Sequence, residues 1–170
     1  MRERPVAPGY LPKEKWGDGP WRKEPDRAEW KAHGVPCLAV RNMCYGNWCG
    51  YAGVAPGHPL HGVWYTDCPQ KCGKKYCEHS PERVLSVHGG VTYANLCDGH
   101  ICHVPKSGEP DNVFWFGFDA AHFNDLSPGI RAYEKARGFE TFFSCGVYRD
   151  LGYVKKQIEE LAKQLADMKP

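Results

Sequence analysis

Phe114-Trp115-Phe116-Gly117-Phe118 runs straight into Asp119-Ala120-Ala121-His122-Phe123-Asn124-Asp125, so an apolar stretch stops abruptly on residues able to bind or catalyse. Successive strand residues face opposite sides, and here both sides are aromatic, which predicts a strand buried on both faces between Asn112 and Asp119. The end of such a strand is a rigid support for chemistry. Asp119 is expected to cap a following helical turn, placing His122 and Asp125 along one side of it as ligands or catalysts. The plainer reading makes Asp119 only a cap and His122 a hydrogen-bonded packing residue.

Upstream, Arg83-Val84-Leu85-Ser86-Val87-His88 reads as a second strand that ends at Gly89-Gly90, before Val91-Thr92-Tyr93. Paired glycines permit positive φ and a close approach to the main chain, so Gly89, Gly90 and Thr92 are candidate substrate-binding positions beside His88. If the two strands end at one sheet edge, His88, Asp119 and His122 converge. Cys37–Met43 and Trp48–Val54, about a Tyr45-Gly46-Asn47 turn, predict a β-hairpin. It leads into Pro56-Gly57-His58-Pro59, a stiff loop that makes His58 another candidate for substrate contact.

Leu151, Val154, Ile158, Leu161, Leu165 and Met168 recur at helical spacing with charged residues between them, an amphipathic helix capped by Asp150. Docking on the sheet is the expected use of its stripe, with a homo-oligomer contact as the alternative. A shorter helix is expected after Pro128 and up to Gly138, and a further strand within 140–148. Residues 1–34, carrying Trp16, Trp21 and Trp30, read as an extended Trp/Pro-rich arm with a short helix over 26–33. Residues 35–170 read as a single α+β domain, mainly antiparallel and rich in loops.

The totals narrow the function classes. With 22 basic against 20 acidic residues, nothing electrostatic points to nucleic acid. No run of about 18 apolar residues is present to cross a membrane. The first residues lack the apolar segment of a signal peptide, so the cytoplasm is the expected setting. There, 9 cysteines are not expected to form disulfides, and clustered ones point to metal. Cys68, Cys72, Cys77 and His79 offer four donors for structural zinc within the Cys-rich loop 68–79. Cys97, His100, Cys102 and His103 form a second group that either adds to that site, binds separately, or lines a turn at Asp98-Gly99. Cys37, Cys44, Cys49 and Cys145 read as small buried hydrophobes.

Five phrases taken together resemble a family of small hypothetical proteins of bacteriophages and prophages. They are Gly57-His58-Pro59, Val87-His88-Gly89-Gly90-Val91-Thr92-Tyr93, His103-Val104-Pro105, Phe116-Gly117-Phe118-Asp119 with His122 and Asp125, and Tyr148-Arg149-Asp150-Leu151-Gly152-Tyr153-Val154. The resemblance spans about residues 10 to 168, with the cysteine loop its least shared part. It implies a phage origin and a host-cytoplasm setting and supplies no mechanism.

The residues themselves predict a small hydrolase of a compact polar substrate, such as a nucleotide or a nucleotide-derived signal. Asp119 and His122, with Asp125, would hold Zn²⁺ or another divalent ion or act as an acid/base pair, and His88 would be a base or third ligand. The alternatives are a non-catalytic phage protein that binds a host metabolite or a host defence protein, and a virion or structural component.

Overall fold

The computed structural model describes residues 10–69, 77–141 and 144–168. Its centre is a five-stranded antiparallel sheet in the order β1-β2-β3-β5-β4. The strands are β1 (Arg27–Ala32), β2 (Val35–Arg41), β3 (Trp48–Val54), β4 (Tyr93–Leu96) and β5 (Phe114–Asp119). Helix α1 (Pro81–Val84) precedes β4, and α2 (Pro128–Arg137) and α3 (Leu151–Asp167) follow β5.

The aromatic run behaves as its pattern requires. Residues Phe114 to Phe118 are all buried, and β5 lies inside the sheet between β3 and β4. Phe114, Phe116 and Phe118 face the main core with Ala52 and Val54 of β3, while Trp115 turns to the opposite face and packs with Leu38, Tyr51 and Val113. The loop over 97–113 crosses that second face, held by Arg27 donating to the carbonyls of His100 and Cys102.

The first face is covered by α3, whose Val154, Ile158, Leu161, Ala162 and Leu165 are buried. Burying each of the larger side chains contributes about 1.5–3 kcal/mol, so this stripe is a principal source of stability. Gly50 permits the close packing. A Cβ there would lie 2.6 Å from the Phe118 ring and 2.7 Å from Ile158 Cγ1. Asp150 caps the helix by accepting from the Tyr153 N–H at 2.7 Å.

Several expectations need correction. The short helix expected over 26–33 is instead the edge strand β1, paired along its length with β2, so the sheet begins ahead of residue 35. Pairing with a neighbouring strand overrode the helical reading of an isolated segment. The 83–88 stretch is also no strand: α1 ends at Val84, and the chain runs without regular structure to His88. Pro81 favours a helix start, and the chain rejoins the sheet just ahead of β4, where the Thr92 N–H donates to the Gly117 carbonyl. Of the strand expected within 140–148, Phe142 and Phe143 lie outside the described residues, and Val147 makes only a single bridge to Asp125.

Trp16 and Trp21 are buried with Leu126, so the arm packs into a core of its own. The N-terminal segment also carries Glu24, which reaches into a polar knot. Arg41 is 2% exposed and donates to Glu24 Oε2 at 2.8 Å, to Asp26 at 2.7 Å and to Tyr148 Oη at 2.6 Å. Glu24 also accepts from the Leu151 N–H at 2.9 Å, tying the start of α3 to the arm.

Candidate functional site

His88 is the centre of the second buried polar cluster. Its Nε2 lies 2.6 Å from Asp125 Oδ2 and its Nδ1 lies 2.9 Å from Tyr153 Oη. Asp125 is fully buried, and its Oδ1 accepts from Arg149 Nε at 2.8 Å while Oδ2 also accepts from the His122 N–H at 3.0 Å. The His88 backbone N–H donates to Gln157 Oε1 at 2.8 Å. An imidazole that gives Nε2–H to an ionised carboxylate has its Nδ1 lone pair turned to the phenol, which then donates to it.

The electrostatics agree with an ionised Asp125. Burial pushes its carboxyl up, but hydrogen bonds from Arg149, His88 and the His122 N–H outweigh burial and hold it below the usual carboxylate value of 3.8. Both oxygens are therefore committed to donors, and Asp125 acts as the fixed anion that orients His88.

Three different parts of the chain supply these groups. Asp125 ends a tight turn closed by its N–H to the His122 carbonyl, with Asn124 at φ +68. Arg149, Tyr153 and Gln157 form a row spaced by four at the start of α3, with the Arg149 guanidinium 4.8 Å from the Tyr153 ring centre. His88 arrives on the loop before β4. At Gly89, with φ +69, a Cβ would stand 1.7 Å from His122 Nε2, so the glycine exists to let that imidazole press on the main chain. The two histidine rings are 5.5 Å apart, and His122 Nε2 is buried without a hydrogen-bond partner.

The remaining candidates divide. His88, His122 and Asp125 come together with Gly89, but Asp119 does not join them. It caps no helix; its Oδ1 accepts from the Ala121 N–H at 3.0 Å, and it lines a separate cavity between β3 and α2. Because β5 alternates faces, the residue after Phe118 points away from the core that His88 borders. Gly90 gives its N–H to the Val87 carbonyl and so is no free oxyanion donor, and Thr92 is exposed with its N–H on Gly117.

His58 is likewise elsewhere. Its Nδ1 accepts from the Leu60 N–H at 3.1 Å and its Nε2 meets the Leu165 carbonyl at 2.9 Å, so it closes the last turn of α3 beside a groove of 290 Å³.

Among the described residues, the three metal-type donors that lie within 4.8 Å of one another are Cys68, Cys77 and His79. Asp119, His122 and Asp125 form no such group. The sulfurs of Cys68 and Cys77 are themselves in disulfide contact, with Cα atoms 5.4 Å apart, and Cys72 lies outside the described residues. Cys97 and Cys102 form a disulfide across the turn at Asp98-Gly99, Cα to Cα 4.7 Å, which corrects the expectation of unpaired thiols. Of the cysteines expected to be buried, Cys37 is buried, Cys44 and Cys49 are half-buried and Cys145 is exposed.

Sequence reading missed Arg149, Tyr153 and Gln157. Tyr153 and Gln157 stand four apart on α3, and Arg149 lies four before Tyr153 just ahead of the Asp150 cap; that spacing is the available signal, since one row of a helix presents such residues together. No helix is long and apolar enough to cross a membrane among the described residues. Compared with protein-family models, curated proteins and solved structures, this chain has no match.

Proposed function

We propose that the protein is a small hydrolase in which Tyr153, His88 and Asp125 form a proton relay. One observation carries this reading: an imidazole clamped at both ring nitrogens, by a buried ionised carboxylate on one side and a phenol on the other. Asp125 fixes the tautomer that leaves Nδ1 basic, and Tyr153 is the outward end of the relay. Tyr153 Oη takes a proton from water as it passes its own proton to His88 Nδ1. The water oxygen bonds to the electrophilic centre of the substrate, and the proton returns through Tyr153 to the leaving group as that bond breaks.

Arg149, with a quarter of its side chain exposed beside Asp125, supplies positive charge for an anionic substrate such as a nucleotide or its ester. In keeping with the resemblance to small phage proteins, the substrate belongs to a host cytoplasm. The test is turnover of a panel of nucleotides, phosphodiesters and carboxylic esters by the wild type and by His88→Ala and Tyr153→Phe. Turnover that falls by about a hundredfold or more in both variants supports the relay. A folded wild type no faster than His88→Ala on every substrate overturns it.

Cys68, Cys77 and His79 support a second, structural role. Once reduced, these three donors would hold zinc, with a fourth ligand supplied by Cys72 or water. Zinc content of the reduced protein, lost in His79→Ala, tests it; reduced protein without zinc overturns it.

A further inference from the structure

The cavity that holds Asp119 has a volume of 530 Å³, the size of a small-molecule site. Three tyrosines wall it. The rings of Tyr10 and Tyr45 are 5.3 Å apart and those of Tyr10 and Tyr133 are 5.4 Å apart. Two carboxylates, Asp119 and Glu134, also line it, and no lysine, arginine or histidine does so among the described residues. Glu134 is buried and accepts from both the N–H and the hydroxyl of Thr141, so its charge is fixed in place.

The deciding feature is Asn47, which is 3% exposed and lines the same space. Its amide nitrogen donates to the Trp48 carbonyl at 3.3 Å, but its Oδ1 is buried with no partner. A buried acceptor left unmet is costly, and native structures seldom keep one without reason. Asp119 has one oxygen on the Ala121 N–H and its other oxygen turned to no protein donor among the described residues. The wall thus offers a carboxylate and aromatic faces in a negative field, with an unmet amide oxygen on one of its residues. One cation already exploits this chemistry from outside, since the exposed Arg137 guanidinium sits 4.7 Å from the Tyr133 ring centre.

We infer that this cavity binds an organic cation bearing N–H donors, an amine or a guanidine. Its charge rests against the tyrosine faces and Asp119, and one N–H reaches Asn47 Oδ1. The site is separate from the His88 relay and does not depend on it.

The experiment is an NMR titration that follows the Asn47 side-chain amide and the tyrosine rings with benzylamine, which is cationic at neutral pH. Benzyl alcohol serves as the neutral control and benzyltrimethylammonium as a cation without N–H donors. Benzylamine is expected to bind at least about fivefold more tightly than either control, a margin typical of a cation on aromatic faces with a charged acceptor. Asp119→Asn keeps the oxygen that accepts from Ala121 and is expected to remove most of that margin, as is Tyr133→Leu. Equal binding of benzyl alcohol, no shift with benzylamine, or an unchanged margin in Asp119→Asn overturns the inference. Tighter binding of benzyltrimethylammonium overturns the role given to Asn47.

Discussion

Two buried clusters in this molecule share a parts list and differ in what they leave open. Around Arg41, a guanidinium, the carboxylate of Glu24 and the Tyr148 hydroxyl close on one another, with Arg41 also 4.2 Å from the Trp48 ring centre. Around Asp125, a guanidinium, a carboxylate and the Tyr153 hydroxyl are present again, but an imidazole stands between acid and phenol. The first knot holds groups that keep their charges at neutral pH. Burial raises the Glu24 carboxyl, and the bonds from Leu151, Tyr148 and Arg41 outweigh it, so Glu24 stays ionised. The second has a group able to take and release protons, a neighbouring buried nitrogen without a partner, and an arginine partly open to solvent. The same chemistry is a fastener in one place and a candidate machine in the other.

The largest expected effect lies in the fastener. Arg41→Met leaves Glu24, whose side chain is 14% exposed, without its cation and is expected to cost about 3 kcal/mol in urea unfolding. Turnover per folded molecule should stay unchanged. A loss below about 1 kcal/mol would mean that the knot contributes little beyond what exposed ion pairs do. In the proposed relay the balance is expected to reverse, with His88→Ala lowering turnover by about a hundredfold or more while costing about 1–2 kcal/mol. Equal and large stability losses at both sites, with no activity to lose, would erase the contrast.

Much of this architecture was legible beforehand. The five-residue aromatic run, the hairpin, the capped C-terminal helix and the α2 helix ended by Gly138 all follow from local pattern, since each carries its own period and punctuation. Segments that owe their form to a distant partner were not legible. Arg27–Ala32 is a strand because β2 pairs with it, and Leu85–His88 lies off the sheet because α1 and Gln157 hold it. The site divides along the same line. His88, His122 and Asp125 stand out by residue type, but sequence proximity groups Asp119 with them and strand alternation sends it to the other side. Arg149 and Tyr153 reach Asp125 and His88 across long sequence separations, and their local spacing does not name those partners.

A smaller effect sharpens how closely the two histidines are set. Gly89→Ala forces a Cβ into the His122 ring at a positive φ and is expected to cost about 1–3 kcal/mol, with lowered turnover per folded molecule. An unchanged thermal midpoint would show that the ring can move aside freely.

The smallest concerns acid. Both carboxylates have folded values below their ordinary ones, 4.5 for Glu24 and 3.8 for Asp125. Each therefore adds stability that is complete above its ordinary value and is lost as pH falls through the lower folded value. Unfolding free energy followed from neutrality into that acid range should fall in wild type. In Asp125→Asn the fall should be shallower by one carboxylate's share, with the Glu24 share remaining. An identical slope in the variant would show that Asp125 is not held ionised by its partners.

Helix α3 is gripped at both ends by residues far upstream of it: Glu24 holds the Leu151 N–H, and His58 holds the Leu165 carbonyl. Neither clasp can form during translation until the helix itself has left the ribosome. Between the emergence of β5 and that of α3 the phenylalanine face has nothing to cover it, so over that interval the nascent chain carries an adhesive surface.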